Sequence, residues 1–169
     1  MQQSFLFLRF VALIPYLGLL IILGIAQVSF AEDESLESEK IKKIEVLVVV
    51  NPANPVEKLT LKQVKQIFLG RMRRFPGVNA EMDVVDLSDS SELHYQFYQQ
   101  IVNMDPTRLK RYRARYLFSG QGRLPKIVTS ESDMIFFVQK RAAAVGYIAL
   151  KEGEQTPEGL KVLFRQTLK

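Results

Sequence analysis

The sequence predicts an α/β fold, and three stretches carry that prediction. Residues 44–50 form a continuous run of β-branched and apolar side chains, which is typical of a strand buried on both faces of a sheet. Val84 and Val85 predict a second strand, which breaks into a polar turn at residues 88–91. The apolar positions after this turn recur at the helical spacings of four, four and three: Leu93, Phe97, Ile101 and Met104.

The first strand ends in a loop, and a start signal for a helix follows it. The run Asn51-Pro52-Ala53-Asn54-Pro55 enforces the loop through its two prolines and offers two side-chain amides. In open α/β sheets, ligands bind in loops at the carboxyl ends of buried strands. Thr60 and Gln63 have the spacing of a capping box, so we expect a helix to begin there and to end before Gly70.

The turn at residues 88–91 is rich in hydroxyl groups and precedes the central helix. Asp89 and Glu92 have the spacing of a capping box, which predicts the helix start. The free N–H groups of a helix start and the positive end of its dipole would face the turn, and this geometry binds anions. The alternative is an ordinary strand-to-helix turn whose serines only cap the helix.

A basic helix is predicted next. Asp105 supplies its N-cap residue, and Pro106 suits the first helical position. Its five bases are Arg108, Lys110, Arg111, Arg113 and Arg115. Because the helical period spreads them over more than one face, we interpret the segment as a solvated basic helix rather than as a patch for a polyanion.

The last third of the chain continues the α/β pattern. Residues 126–129 predict a short strand, and Ser130 predicts the N-cap of another helix, with Asp133 at its third position. Residues 144–149 predict an apolar strand in which Gly146 allows close approach of the backbone. Residues 161–166 predict a final strand.

The N-terminal residues predict export. Arg9 precedes an uncharged run over residues 10–30, and Ser29-Phe30-Ala31 places small residues where a signal peptidase cleaves. We therefore interpret residues 1–31 as a signal peptide and residues 32–43 as an acidic, flexible leader. An uncleaved membrane anchor is the alternative, since the run is long enough to span a bilayer. Both readings place the folded domain, residues 44–169, in the periplasm.

Composition excludes several kinds of site. The chain has no cysteine, which excludes disulfides, thiolate metal sites and a catalytic thiol. Residues 40–169 contain 22 basic and 13 acidic residues, a net charge of +9. A basic body favours nucleic acid, acidic lipid or small anions as partners, and export argues against nucleic acid. We expect one domain, which acts as a monomer.

The sequence offers little for catalysis. His94 is the only histidine, and without a second histidine or a cysteine it is a poor metal ligand. No nucleophile elbow and no phosphate-loop lysine motif is present. We therefore expect a binding module that is not an enzyme and that needs no cofactor and no metal. Its predicted ligand-binding residues are Asn51, Asn54, Ser88, Ser90, Ser91, Thr129 and Ser130.

Five motifs, in this order, resemble the substrate-binding proteins of phosphate ABC transporters, and in particular the short, single-domain members of that family. The motifs are Val50-Asn51-Pro52; Leu59-Thr60-Leu61 with Ile67-Phe68-Leu69-Gly70; Val84-Val85-Asp86 with Ser90-Ser91 and Phe97; Phe118-Ser119-Gly120-Gln121-Gly122 with Pro125; and Val145-Gly146-Tyr147-Ile148. The resemblance covers roughly residues 44–150.

The resemblance implies a shortened fold like the type II periplasmic binding proteins, with a mixed sheet flanked by helices. It implies inorganic phosphate or a similar oxyanion as the ligand and an inner-membrane ABC permease as a partner. Asp86 stands where the family has an arginine, and Ser90-Ser91-Glu92 replaces the family's Ser-Gly-Thr run. These departures favour an alternative, a non-transport interaction or sensory module that keeps the fold but has a degenerate ligand site.

Overall fold

The computed structural model of the chain describes residues 44–120 and 123–168. The signal peptide predicted over residues 1–31 and the leader predicted over residues 32–43 lie outside the described residues, as do Gln121 and Gly122 of the fourth family-like motif. Within the described part of the chain, no helix combines the length and the apolarity needed to cross a membrane.

One mixed sheet organises the fold. Its strands are β1 (Ile44–Val50), β2 (Asp83–Leu87), β3 (Lys126–Val128), β4 (Ala144–Lys151) and β5 (Lys161–Thr167). The strand order is β3-β2-β4-β1-β5. β2 runs parallel to both β3 and β4, whereas β1 runs antiparallel to β4 and β5. The predicted mixed sheet with flanking helices is confirmed.

The helices begin at capping residues. They are α1 (Leu61–Phe68), α2 (Glu92–Gln96), α3 (Pro106–Phe118) and α4 (Glu131–Lys140). Thr60, Asp105 and Ser130 are N-caps as predicted, and each side chain accepts a hydrogen bond from a backbone N–H of the first turn. The N-cap predicted for α2 is wrong, because Ser91 rather than Asp89 accepts the bond from His94 N–H.

Strand β1 is the centre of the core, as its apolar run predicts. Its residues 46–50 are fully buried, and successive side chains point to opposite faces of the sheet. Val46, Val48 and Val50 pack into the larger cluster, which also contains the buried side chains of α1 and α2. Leu47 and Val49 pack on the other face with Ile148 and Leu150 of β4.

Helix α2 continues without a break into a π-helical segment, Phe97–Val102. Its buried residues are Phe97, Tyr98, Ile101 and Val102. Asn103 ends the segment in the left-handed conformation, at φ 63°. Tyr98 lies in the interior, where its hydroxyl contacts Asp86 of β2.

Gly146 lies where α4 crosses β4. A Cβ atom at this position would stand 2.8 Å from both Cγ and Sδ of Met134, so a larger residue would require the Met134 side chain to move. The close approach predicted for this glycine is therefore present. It lets the Met134 side chain of α4 pack directly on the backbone of β4.

Candidate ligand site

Two polar turns meet at one edge of the sheet. Residues 88–91, here called the serine turn, follow β2, and residues 129–130 follow β3. The two strands are parallel neighbours, with Leu87 opposite Val128, so both turns leave the same edge. Ser88 N–H donates to Val128 O at 3.0 Å and ties the turns together. The structure thus brings five of the predicted ligand-binding residues near one another: Ser88, Ser90, Ser91, Thr129 and Ser130.

Asn51 and Asn54, the other two predicted ligand-binding residues, lie away from these five. Because β1 is antiparallel to β4, Val50 lies beside Val145, which in turn pairs with Val84 near the start of β2. The loop after β1 therefore leaves the opposite edge of the sheet. At about 3.3 Å per residue it lies roughly 16 Å from the serine turn along the strands. The prediction that Asn51 and Asn54 share a site with the serines is wrong.

Both asparagines have structural roles instead. Asn51 Nδ2 donates to the carbonyl of Gln139 at 2.7 Å, and its Oδ1 accepts from Ala53 N–H at 2.9 Å. Asn54 is buried, and its Nδ2 donates to the carbonyl of Ala142 at 3.0 Å. Their side chains therefore fasten the loop after β1 to the end of α4.

The serine turn keeps one hydroxyl donor available to a ligand. Ser91 is occupied as the N-cap of α2. The hydroxyls of Ser88 and Ser90 lie 2.6 Å apart and share one hydrogen bond. Since each hydroxyl carries one proton, one of the two remains available to a ligand. Asp89, between them, has a side chain that is 83% exposed.

The turn after β3 is different, because a carboxylate already uses its hydroxyls. Thr129 Oγ1 and Ser130 Oγ donate to Asp133 Oδ2 at 3.0 and 2.7 Å. These bonds, with that of Ser130 the stronger cause, hold the pKa of Asp133 below its ordinary value. An arriving anion would have to compete with this carboxylate, so Thr129 and Ser130 are poor ligand donors in this arrangement.

Asp86 lies directly below the serine turn and is fully buried. Its carboxylate accepts hydrogen bonds from the hydroxyls of Tyr98 at 2.8 Å and Tyr147 at 2.7 Å. It also accepts from Leu87 N–H at 3.0 Å and forms an ion pair with Arg113. The negative charge of Asp86 is therefore directed into the interior and compensated there.

The two tyrosines act as donors at every physiological pH. Burial raises the pKa of Tyr98 well above its ordinary value, and the neighbouring Asp86 raises it further. Burial and Asp86, in the same order of importance, also raise the pKa of Tyr147. Both phenols therefore stay protonated. Each can donate to the carboxylate beneath the serine turn without adding a charge.

Arg113 connects the buried carboxylate to the surface. It extends from α3, and its Nη2 donates to Asp86 Oδ2 and, at 2.8 Å, to the Tyr98 hydroxyl. Its Nη1 lies 3.5 Å from Asp89 Oδ1 in the serine turn. The interpretation of residues 106–116 as a solvated basic helix missed this role. One signal was available: Arg113 follows Leu109 by four residues, which places it on the buried face of the helix.

His94 packs beside this network. It is 5% exposed, and its ring centroid lies 4.6 Å from that of Tyr98. Its Nε2 lies 3.8 Å from Asp86 Oδ2 and 3.5 Å from Asp89 Oδ1, beyond hydrogen-bonding distance in the first case. Burial is the main cause that lowers its pKa, so the ring is neutral near pH 7. Within the described residues, no three His, Asp or Glu side chains group to hold a metal.

Comparison with known proteins bears on the fold. No family model matches the chain, and no curated protein matches it. Among solved structures, the chain is similar to an ABC-type phosphate transport receptor from Vibrio cholerae, at 24% identity and a TM-score of 0.54, over 73% of this chain and 46% of that one. A putative phosphate ABC transporter substrate-binding protein from Clostridium perfringens, with bound phosphate, matches at 23% identity and a TM-score of 0.58, over 73% and 45%.

The chain has the fold of the phosphate ABC transporter substrate-binding proteins. PstS from Borrelia burgdorferi supports this, at 16% identity and a TM-score of 0.57, over 72% of this chain and 47% of that one. The fold predicted from the family-like motifs is therefore confirmed. The chain spans less than half of the length of each of these solved structures.

Proposed function

We propose that the chain is an extracytoplasmic binding domain for phosphate or a similar oxyanion, with the serine turn as its anion contact. One observation carries the proposal. The serine turn leaves the carboxyl end of a parallel strand pair, in a fold shared with phosphate transport receptors. Ligands of open α/β sheets bind at this kind of edge. The hydroxyl pair of Ser88 and Ser90 supplies one free donor.

The chemistry of the turn suits an oxyanion. Hydrogen bonds from neutral hydroxyl and amide groups become charge-assisted once an anion arrives, and they then strengthen. Helix α2 begins at Ser91, directly after the two serines, so the positive end of its dipole lies at the serine turn. No salt bridge is required for such a contact.

The charges near the turn are arranged to tolerate an anion. Asp86 is buried and paired, so it faces the interior rather than the ligand. Asp89 is exposed, and Arg113 Nη1 lies 3.5 Å from it. Arg113 thus supplies, from α3, the positive charge that the family-like pattern places at position 86. We assign Arg113 the role of balancing these two carboxylates when the anion binds.

The wider role follows from the predicted export. The signal peptide predicted over residues 1–31 would deliver the domain to the periplasm, where it would pass its ligand to an ABC-type permease. We propose that it works as a monomer, without catalysis, cofactor or metal.

Titration calorimetry of the full chain with phosphate tests the proposal, with sulfate as the control anion. We expect saturable phosphate binding that survives moderate salt. Ser90→Asp should weaken it by more than about ten-fold, because a carboxylate would face the anion. Ser119→Asp is the matched control, since Ser119 is exposed at the end of α3. Equal binding by both variants, or heat that vanishes with salt for both anions, would refute the site.

A second candidate is an interaction module on the same fold, favoured by the exposed end of α3. Leu117 is 50% exposed and Phe118 is 92% exposed, and Arg111 and Arg115 are exposed on the same helix. Exposed apolar and basic side chains together suit an anionic lipid surface. Binding of the full chain to phosphatidylglycerol vesicles should fall in the double variant Arg111→Glu, Arg115→Glu. Unchanged binding would remove this candidate.

A further inference from the structure

A cavity of about 220 Å³ lies at the edge of the sheet opposite the serine turn. Asp83 and Val84 at the start of β2 line it, as does Lys126 at the start of β3. The serine turn follows the other end of β2, so at about 3.3 Å per residue the two lie roughly 16 Å apart along the strand. None of the seven residues predicted to bind the ligand lines the cavity. The proposed function therefore does not use it.

The cavity carries a net positive charge. Its charged lining residues are four bases and two acids: Arg73, Arg123, Lys126, Arg141, Glu81 and Asp83. Both acids are already paired. Arg73 Nη2 lies 3.0 Å from Glu81 Oε1, and Arg141 Nη1 lies 3.5 Å from Asp83 Oδ2. Within the described part of the chain, neither Arg123 nor Lys126 forms an ion pair. Two positive charges are therefore left for a ligand.

An aromatic ring holds two of these bases in place. Lys126 Nζ lies 4.4 Å and Arg141 Cζ lies 4.5 Å from the ring centroid of Phe137, which also lines the cavity. Cation–π contacts at such distances are attractive, so both charges are positioned before a ligand arrives. Donors that are already positioned lose less conformational freedom on binding. Lys126 and Arg141 are nevertheless exposed, so a ligand can reach them.

Much of the remaining lining is apolar. It includes Ile67, Met72, Met82 and Leu124. An anion with an apolar group would remove these side chains from water, whereas a small inorganic ion would leave them hydrated. A phosphate monoester combines both properties, because it carries about −1.5 to −2 charges at one end near pH 7. The volume equals that of roughly seven water molecules, which suits an organic group with a single ring.

We infer that this cavity binds a small phosphate monoester with an apolar organic group. The phosphate oxygens accept hydrogen bonds from Arg123 and Lys126, with Arg141 beside them. Such bonds are charge-assisted, and a guanidinium can offer two parallel donors to a phosphate. The organic group lies against Met72 and Met82. This inference does not depend on phosphate binding at the serine turn.

The methionine methyl groups can locate the ligand in an NMR experiment. Met72 and Met82 line the cavity, whereas Met104 and Met134 do not. The full chain with isotope-labelled methionine methyl groups is titrated with phenyl phosphate, with phenol as the neutral control. We expect saturable shifts at Met72 and Met82 with phenyl phosphate, and none at the other two. The absence of a saturable shift, or an equal shift with phenol, would overturn the inference.

Two lysines that lie over phenylalanine rings provide a matched pair of variants. Lys126 lines the cavity, whereas Lys140, whose Nζ lies 5.6 Å from the ring centroid of Phe136, does not. Lys126→Gln should weaken phenyl phosphate binding by about five-fold or more, because it removes a charge-assisted donor. Lys140→Gln removes the same charge and should leave the affinity unchanged. Equal weakening by both variants would overturn the inference, since only the general basic field would then attract the anion.

Ser90→Asp separates this cavity from the serine turn. The variant should weaken the binding of inorganic phosphate, as proposed above, and leave the phenyl phosphate shifts of Met72 and Met82 in place. Retained shifts would support the cavity even if inorganic phosphate bound nowhere. Loss of both shifts in Ser90→Asp would place phenyl phosphate at the serine turn and overturn the inference.

Discussion

Two carboxylates near the candidate site are held in the same way but in different surroundings. Asp86 accepts from the hydroxyls of Tyr98 and Tyr147 at 2.8 and 2.7 Å, and Asp133 accepts from those of Thr129 and Ser130 at 3.0 and 2.7 Å. Asp86 is fully buried, whereas Asp133 is exposed. The buried carboxylate also has a cation, Arg113, and it needs one, because an isolated charge in the interior is very costly.

The comparison shows why similar motifs along the chain have different functions. The carboxylate of Asp133 uses the hydroxyls of its own turn and leaves few donors for a ligand. Asp86 takes its hydroxyls from tyrosines that are distant in sequence, so no carboxylate uses the hydroxyls of Ser88 and Ser90, which bond to each other and keep one proton available. Hydroxyl content alone therefore does not identify an anion site. The nearest carboxylate, and the donors it already uses, decide whether the turn can bind.

The largest expected effect comes from removing the buried cation. Arg113→Met should lower the free energy of unfolding by about 3–5 kcal/mol, because it leaves Asp86 buried without its ion pair. Urea denaturation followed by circular dichroism measures this. Arg115→Met, at an exposed position of the same helix, should stay within about 0.5 kcal/mol of the wild type. A similar decrease in the free energy of unfolding in both variants would mean that the buried ion pair contributes no more to stability than an exposed arginine does.

Deleting one hydroxyl at each carboxylate compares the two environments directly. Tyr147→Phe should cost about 1–3 kcal/mol, because it removes one donor to a buried charge. Thr129→Val, at an exposed position, should cost no more than about 0.5 kcal/mol. The same denaturation experiment applies to both. If the Thr129 variant lost as much stability as the Tyr147 variant, burial would not explain the difference between the two sites.

The lowered pKa of His94 should make the stability of the fold depend on pH. Burial lowers its pKa in the folded state below the ordinary value of 6.5. The unfolded state therefore binds the proton first, so the stability that neutral His94 contributes is complete above pH 6.5 and is lost as the pH falls below it. His94→Gln should flatten the curve of melting temperature between about pH 7 and 5, since carboxylates titrate mainly below about 4.5. An unchanged slope would exclude His94 as its source.

The smallest effect is expected at the exposed carboxylate. The hydrogen bonds from Ser130 and Thr129 hold the pKa of Asp133 below its ordinary value of 3.8. Its stabilising contribution is thus present above pH 3.8 and is lost as the pH falls through the folded-state value. Asp133→Asn should be close to wild type at pH 7 and should show a shallower loss of stability in acid. Thermal melts at pH 7 and pH 3 provide the measurement. A large loss at pH 7 would contradict the contrast with Asp86.

Local signals predicted the elements well. The apolar run of β1 predicted its burial on both faces, and Thr60, Asp105 and Ser130 predicted three helix starts, because each signal lies within a few residues of its effect. The predicted start of α2 was wrong by two residues. Asp89 and Ser91 are both suitable caps, and only the backbone geometry of the turn chooses between them.

The candidate site could be predicted only in part, because it depends on strand direction and on contacts between residues that are distant in sequence. The position of Asn51 and Asn54 in a loop after a buried strand predicts that they lie at the ligand edge of the sheet. That edge depends on strand direction, and β1 is antiparallel to β4. Asp86 gave no sign of its partners, since they lie 12, 27 and 61 residues further along the chain. Such contacts follow from topology, which one sequence leaves open.

The strand order has a consequence for how the chain folds. β4 lies between β1 and β2, although it follows both of them along the chain. A nascent chain that ends before residue 144 has no strand to join its first half to its second, and Asp86 has no Tyr147. Bringing β1 and β2 to either side of β4 costs loop-closure entropy before the contacts of β4 stabilise the sheet. Truncations that remove β4 should therefore leave an unstructured chain, so the sheet forms only once residues 144–151 have been made.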